Sequence, residues 1–369
     1  MMKKRNSEKT LGLDAVHAVR DLLANVPNLQ AAGSVRHGDM LGSRHLMDGH
    51  IEFEHGGNAY VLVVEIKRSG APRFVRSGVY QLKGYLAHLG HSGQGDSHRR
   101  WIPMLVSPYL SPASRSICLD HDVAYLDLVG NAHLAFDNVY IDLAVPDRPK
   151  SETRALRSIF APKAAAILRA LLREPARSWR VAELAEAANV SLGHVSNVGK
   201  ALLAREWIEK DSNGISLVQP GALLRNWREE YRKPAGHHVS GYTLFHGEQF
   251  TKQLSGTLNA EQQHPRAVYS LNSAAQWFAP FARGSTYSFY ADEPGARMLK
   301  EALELTRVEK GANVTVHIPN DESLLEDAVQ PMPGVFCTSP IVTYLDLWLG
   351  SDRDREAAHH LASKCFPWL

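Results

Sequence analysis

Three side chains in the first third of the chain have the types and spacing for phosphodiester chemistry: Asp48, Glu65 and Lys67. Two neighbouring carboxylates suit Mg²⁺, a hard ion that takes oxygen ligands and keeps waters for a phosphate. A lysine beside them can orient or deprotonate an attacking water and offset charge developing on the phosphate. A hairpin has to bring them together. Residues 50–54 and 59–67 read as strands flanking His55-Gly56-Gly57-Asn58, and a tight turn needs the positive φ that glycine adopts freely. A two-residue turn at Gly56-Gly57 sets Asp48 opposite Glu65, His50 opposite Val63, Glu52 opposite Val61 and Glu54 opposite Ala59. Alternation then puts Asp48, His50, Glu52, Glu65 and Lys67 on one face with Val61 and Val63. Ile51, Phe53, Tyr60, Leu62, Val64 and Ile66 make a wholly apolar opposite face, and a one-residue slip would ruin both patterns. The plainer alternative is a solvated sheet face with charge pairs.

An amphipathic helix follows, with Val75, Val79, Leu82, Leu86 and Leu89 on one side. Gln81 and Tyr85, four positions apart, lie one above the other on that helix. Strands are expected at 101–106, 123–128, 132–136 and 139–143. Taken together, Asp48, the Glu65-Ile66-Lys67 element and the Gln81/Tyr85 spacing resemble the PD-(D/E)XK nuclease superfamily, over roughly residues 10–145. The resemblance implies that Asp48 and Glu65 hold Mg²⁺, that Lys67 positions water, and that Gln81 and Tyr85 hold the strand. Met47 stands where that family usually has proline, and the first-helix acid is open among Glu8, Asp14 and Asp21. Many members of the fold have lost catalysis, so an active nuclease and an inactive relative both fit. Asp127, with the Gly130-Asn131 turn, either approaches this site or simply builds the turn.

Residues 161–217 read as a winged helix-turn-helix: a helix over 162–172, a second over 181–190, and a third capped by Ser191. Val195, Val198 and Leu202 face its core. His194, Ser196, Asn197 and Lys200 then point outward, where side chains meet bases and phosphates of double-stranded DNA. Residues 207–210 and 215–218 form the wing, with Lys210 at its tip, and Arg180 stands before the second helix. Arg154, Arg157 and Arg177 are further phosphate candidates. A winged helix used for protein contacts, or a helical spacer, is the competing reading.

Charge is distributed unevenly. The whole chain carries +2, from 41 Lys and Arg against 39 Asp and Glu, which argues against a strongly basic coat protein. Linker-like stretches at 144–153 and 232–241 divide it into residues 1–147, 148–234 and 235–369. These blocks hold 15 basic and 15 acidic, 16 and 9, and 10 and 15 side chains, so the positive excess sits on the winged-helix block. Phosphate contacts supply most affinity for DNA, which makes that the block to grip it. Three scattered cysteines give neither a disulfide framework nor a metal knuckle. No apolar run approaches the ~20 residues needed to span a bilayer, and the amphipathic start is not a signal-peptide core, so a cytoplasmic protein without membrane contact is expected.

Residues 235–369 alternate strand and helix patterns at 286–290, 293–305, 313–318 and 335–337. They offer no catalytic constellation: Arg283 reads as a turn residue, and the pairs His237/His238 and His359/His360 as structural or exposed. The stretches QPGALLRNWREEY (219–231), NSAAQWFAPFARG (272–284), GANVTVHIPND (311–321) and TYLDLWLGSDRDREAAHHL (343–361), with the winged helix, resemble the AbiEi-like antitoxins of type IV toxin–antitoxin systems. That resemblance spans about residues 160–369. It implies operator binding by the winged helix and a C-terminal domain for homodimer, DNA or partner contacts, the candidate partner being a nucleotidyltransferase-like toxin encoded nearby. The expected fold class is α/β (α+β multidomain): a restriction-endonuclease-like α/β core, a central winged helix-turn-helix and a C-terminal α/β domain. The leading functional expectation is a DNA-binding transcriptional regulator with an accessory nuclease-like domain. The alternative is a Mg²⁺-dependent nuclease targeted by the winged helix.

Overall fold

The structure, a computed structural model, describes residues 2–27, 29, 48–91, 99–146, 148–255, 265–281, 286–321 and 323–369. Met47 and Arg283 lie outside the described residues, as does the side chain of Glu8. The chain is mixed α/β and divides into two compact units. One holds Met1–Thr153 with Leu202–Glu206, the other Arg154–Ala201 with Trp207–Leu369. Blocks 148–234 and 235–369, separated in sequence by charge, thus fall largely within the same unit. Among the described residues no helix is long and apolar enough to cross a membrane.

The first unit runs α1 (Met2–Ala24), β1 (Gly49–His55), β2 (Asn58–Ile66), α2 (Pro72–His91), β3 (Arg99–Ser107), α3 (Pro112–Leu119), β4 (Ala124–Asp127), β5 (Ala132–Phe136) and β6 (Val139–Leu143). Its six strands lie in sequence order. The outer pairs are antiparallel hairpins, whereas β2–β3 and β3–β4 are parallel and need the crossovers that α2 and α3 supply. Helices therefore cover both faces. Ala15, Val19, Leu22 and Leu23 of α1 pack on Ile51, Phe53, Tyr60, Leu62 and Val64. On the other face Val75, Val79, Leu82 and Tyr85 of α2 meet Val63, Leu105 and Tyr125, with Ile117 and Cys118 of α3. The solvated-face alternative fails at Glu65, whose part of the face is roofed by a helix, but holds at Glu52, which is partly exposed and pairs with Arg99 at 3.0 Å.

The second unit opens with α4 (Lys150–Ile159), which begins just before the division, then α5 (Pro162–Arg173), β7 (Ser178–Trp179), α6 (Val181–Ala187), α7 (Leu192–Ala204), whose end from Leu202 is counted with the first unit, β8 (Ile208–Lys210), β9 (Ile215–Leu217) and α8 (Pro220–Glu230). β9 pairs antiparallel with both β7 and β8. Gly214, at φ +138°, is required twice over, because a Cβ there would also come 2.3 Å from the carbonyl oxygen of Trp179. The two-residue β7 carries too short a pattern to read from sequence.

A second six-stranded sheet has the order β10 (Gly236–Gly241), β13 (Val314–Pro319), β12 (Tyr287–Ala291), β11 (Ala267–Tyr269), β15 (Val335–Cys337), β14 (Val329–Met332). Around it lie α9 (Gly247–Ser255), α10 (Leu271–Phe278), α11 (Glu293–Ala302), α12 (Ser323–Glu326), α13 (Pro340–Trp348) and α14 (Asp352–Cys365). The stretch read as a linker at 232–241 is corrected here: most of it is strand β10. Its Gly and His residues lack strand propensity, but an edge strand tolerates them, and Gly236 lies so close to β13 that a Cβ would come 2.0 Å from the Ile318 carbonyl oxygen. The paired histidines gain partners too: the His238 ring lies 3.2 Å from Nδ1 of His317, and His237 Nε2 is 3.3 Å from Glu293 Oε1.

Candidate active site

The β1–β2 register is the one the glycine turn dictates, with His50 opposite Val63, Glu52 opposite Val61 and Glu54 opposite Ala59. Gly56 and Gly57 sit at φ +57° and +79°, the left-handed region that side chains avoid. Asp48 precedes β1, and its Oδ2 accepts a hydrogen bond from the backbone N–H of Ile66 at 2.8 Å. That bond pins Asp48 to the strand end that carries Glu65 and Lys67. The backbone N–H of Lys67 in turn donates to the Val106 carbonyl on β3 at 2.8 Å.

Glu65 is buried, at 5% exposure, whereas Asp48 is exposed. Lys67 Nζ donates to Glu65 Oε1 at 2.7 Å and also to Oε1 of Gln81. The lysine therefore bridges β2 to α2, joining three of the sequence-predicted residues. Burial pushes the Glu65 carboxyl above its ordinary value; the Lys67 hydrogen bond opposes that shift and the negative charge of Asp48 adds to it. Tyr85 is buried beside them. Its phenol is raised first by burial, then by the charges of Glu65 and Asp48, so it stays protonated.

Sequence reasoning missed Gly78. A Cβ at this position would come 2.8 Å from Lys67 Cε and 2.7 Å from Leu105 Cδ1. The missing side chain is what lets the lysine stem pass beneath α2 to reach Gln81. A signal was available: glycine costs about 1 kcal/mol against alanine within a helix, so one placed three residues before Gln81 invites a packing explanation.

Other candidates separate cleanly. Asp14 and Asp21 lie on the exposed side of α1, and α1 packs on the sheet face opposite Glu65. Asp127 builds its turn: Oδ1 accepts from the N–H groups of Val129, Gly130 and Asn131, and Oδ2 from Leu110 N–H and the Asn131 amide. Among the described residues no group of three or more His, Cys, Asp or Glu side chains gathers as a metal cluster.

Along α7, Val195, Val198 and Leu202 are buried as expected, and Ser196, Asn197 and Lys200 are exposed. Ser191 Oγ accepts from the His194 N–H at 3.3 Å, so its oxygen serves the helix cap. His194 is corrected: it is half-buried, and its Nε2 is buried and makes no hydrogen bond. Arg180 and Lys210 are exposed. Arg177 is committed locally, its guanidinium 3.7 Å above the Trp179 ring and 3.2 Å from Glu174 Oε2. Arg157 faces Glu230 at 3.5 Å.

No protein-family model and no curated protein sequence matches the chain. Among solved structures it is similar to an FdxN element excision controlling factor protein from Anabaena variabilis, at 17% identity over 31% of this chain and 89% of the other, with a TM-score of 0.23. An XisH family protein from Nostoc punctiforme matches at 15% identity over 32% and 88%, with a TM-score of 0.22. The apo form of EndoMS matches at 18% over 31% and 45%, with a TM-score of 0.20.

Proposed function

We propose that the first unit is a Mg²⁺-dependent phosphodiesterase of the PD-(D/E)XK type acting on DNA, with residues 161–217 a winged helix that holds the duplex. The observation that carries the reading is the lysine bridge: Lys67 Nζ lies on Glu65 Oε1 and Gln81 Oε1 at once, beside an Asp48 tied to Ile66 N–H. An ordinary surface ion pair would not be roofed by a helix, nor need a glycine cut into that helix to admit it. This reverses the order of the two expectations drawn from sequence.

The residues present fit a divalent cation. Glu65 is buried with its carboxyl pushed up by desolvation and by Asp48, and a cation between the two would relieve both effects. Mg²⁺ needs only one or two carboxylates, since it keeps waters in its remaining positions. When bound it supplies Lewis acidity toward a phosphoryl oxygen and acidifies a water. The chain's own contributions are separate. Asp48, exposed, faces the solvent from which ion and substrate arrive. Lys67 places a positive charge where phosphate charge develops, and Gln81 fixes its position. Tyr85, held protonated, offers a hydrogen-bond donor in place of a charge. Incubation of linear duplex with Mg²⁺ or Mn²⁺ tests this. Cleavage should appear and be lost in Glu65→Ala; cleavage that persists in that variant sinks the assignment.

A second reading, the AbiEi-like regulator, is supported by one observation: Ser196, Asn197 and Lys200 are exposed along α7, which is followed by the paired strands β8 and β9. On this reading α7 enters the major groove of an operator, the protein is a homodimer, and a nucleotidyltransferase-like toxin is its partner. A gel shift with the protein's own upstream DNA separates the readings, since sequence-specific binding without cleavage supports the regulator alone.

A further inference from the structure

A cavity of about 300 Å³ lies in the second unit where α5, α8 and the segment after β13 meet. Its inner wall includes Arg169, Trp227 and Tyr231, all buried. Its outer wall carries Arg157, Arg232 and Lys233, all exposed. Two features of this lining point to a ligand, and neither enters the DNA-acting reading.

The first is charge. Four cations line the cavity against two carboxylates, Glu230 and Asp321. Glu230 faces Arg157 at 3.5 Å, and Asp321 Oδ1 accepts the Ser323 N–H at 2.9 Å. Arg169 looks outside the cavity to Asp327, which must also serve Arg173, so one carboxylate answers two guanidinium groups. The Arg169–Asp327 pair is close, at 3.0 Å, but misaligned: neither Nε nor Oδ2 makes a hydrogen bond. Burial pushes the Arg169 guanidinium down to about 10, so it is still charged at neutral pH. Arg232 spends one N–H on the Tyr231 carbonyl at 2.7 Å.

The second is aromatic surface. The Phe160 and Trp227 rings, both in the lining, are parallel to 3° with centroids 6.0 Å apart. Tyr231 meets Trp227 edge-on at 6.5 Å. An aromatic wall under a pair of cations, in a volume at the lower end of small-molecule sites (roughly 300–1,000 Å³), matches a flat ring joined to a compact anion.

We propose that this cavity binds a nucleoside monophosphate, its base against Phe160 and Trp227 and its phosphate on Arg232 and Lys233. The probes are AMP, GMP, CMP and UMP, titrated calorimetrically into the full-length protein. Inorganic phosphate and the unphosphorylated nucleosides are run alongside. At least one mononucleotide should saturate at one per chain with a Kd below about 1 mM. It should bind about tenfold or more tighter than its nucleoside or phosphate alone. The double variant Arg232→Ala/Lys233→Ala should weaken it at least about tenfold, with unchanged melting because both side chains are exposed. Lys200→Ala, outside the cavity, should bind as wild type. The proposal is overturned if no mononucleotide saturates below about 1 mM, if phosphate alone binds equally well, or if the double variant retains full affinity. None of these results bears on DNA cleavage.

Discussion

Gly78→Ala and Gly84→Ala are the same chemical change six residues apart in one helix, yet they should move stability in opposite directions. Adding a methyl to a helical glycine stabilises by about 1 kcal/mol, because alanine loses less backbone entropy on folding. At Gly84 nothing stands within 4 Å of the new Cβ, so that gain should appear in full. At Gly78 the Cβ would come 2.7 Å from Leu105 Cδ1 and 2.8 Å from Lys67 Cε. Leu105 is fully buried and cannot step aside, and overpacking of this kind costs about 1–3 kcal/mol. The net change is a loss of about 0–2 kcal/mol, against a gain of about 1 at Gly84. At roughly 2–4 °C per kcal/mol for a unit of this size, thermal melting resolves the two. Lys67 is flexible and will move, which carries its ammonium off Glu65 and Gln81; a displacement of about 1 Å costs up to ~10²-fold in rate. Gly84→Ala should cleave DNA as wild type does. If Gly78→Ala stabilises as much as Gly84→Ala, α2 does not press on Lys67 and the account of the bridge is wrong.

Four further outcomes are expected. Because the Glu65 carboxyl is raised, the folded state holds its proton longer than the unfolded chain, so this group's contribution falls as pH rises from its ordinary value through the raised one; Glu65→Gln should flatten that fall in melting curves, and Mg²⁺ should stabilise wild type at neutral pH but not the variant. Asp346 is fully buried and pushed up to about 6 by that burial, so the second unit should lose stability between about pH 4 and 6, a slope that Asp346→Asn removes in a pH series of melts. Asp127→Ala strands the N–H groups of Leu110, Val129, Gly130 and Asn131 and should destabilise by about 3 kcal/mol or more, measured by urea unfolding. Lys200→Ala should weaken duplex binding evenly across sequences and lower the salt slope by about one, as read from titrations at several salt concentrations.

The site was legible because a hairpin is a local object. Gly56-Gly57 and the period-two alternation fix which residues face each other, and Asp48, Glu65 and Lys67 follow without long-range information. The roof was not legible. Val75, Val79 and Leu82 announce an apolar helix face but not which surface it meets, so the buried Glu65 face read as solvated in one alternative. Strands such as β10 and β7 escaped for the opposite reason. Their residues are mostly Gly, His, Ser and Trp in short runs, and what makes them strands is a neighbour far along the chain: Pro319 for Gly236, and Ile215 for Trp179. Ser191 was legible by its capping role, and its Oγ does accept the His194 N–H.

The buried carboxylate of Glu65 also bears on descent. The two cores of the first unit, one under α1 and one under α2, close without help from its charge. Replacing that charge with a neutral side chain of similar size removes a desolvation penalty, gives up the Lys67 ion pair, and is expected to leave the strand register intact. A lineage released from the need to cut DNA would be drawn by stability alone to exchange Glu65 first and keep the rest of the scaffold. On the proposed function, the same fold can therefore pass from cutting to holding through one substitution, while the return requires a buried charge to be accepted again.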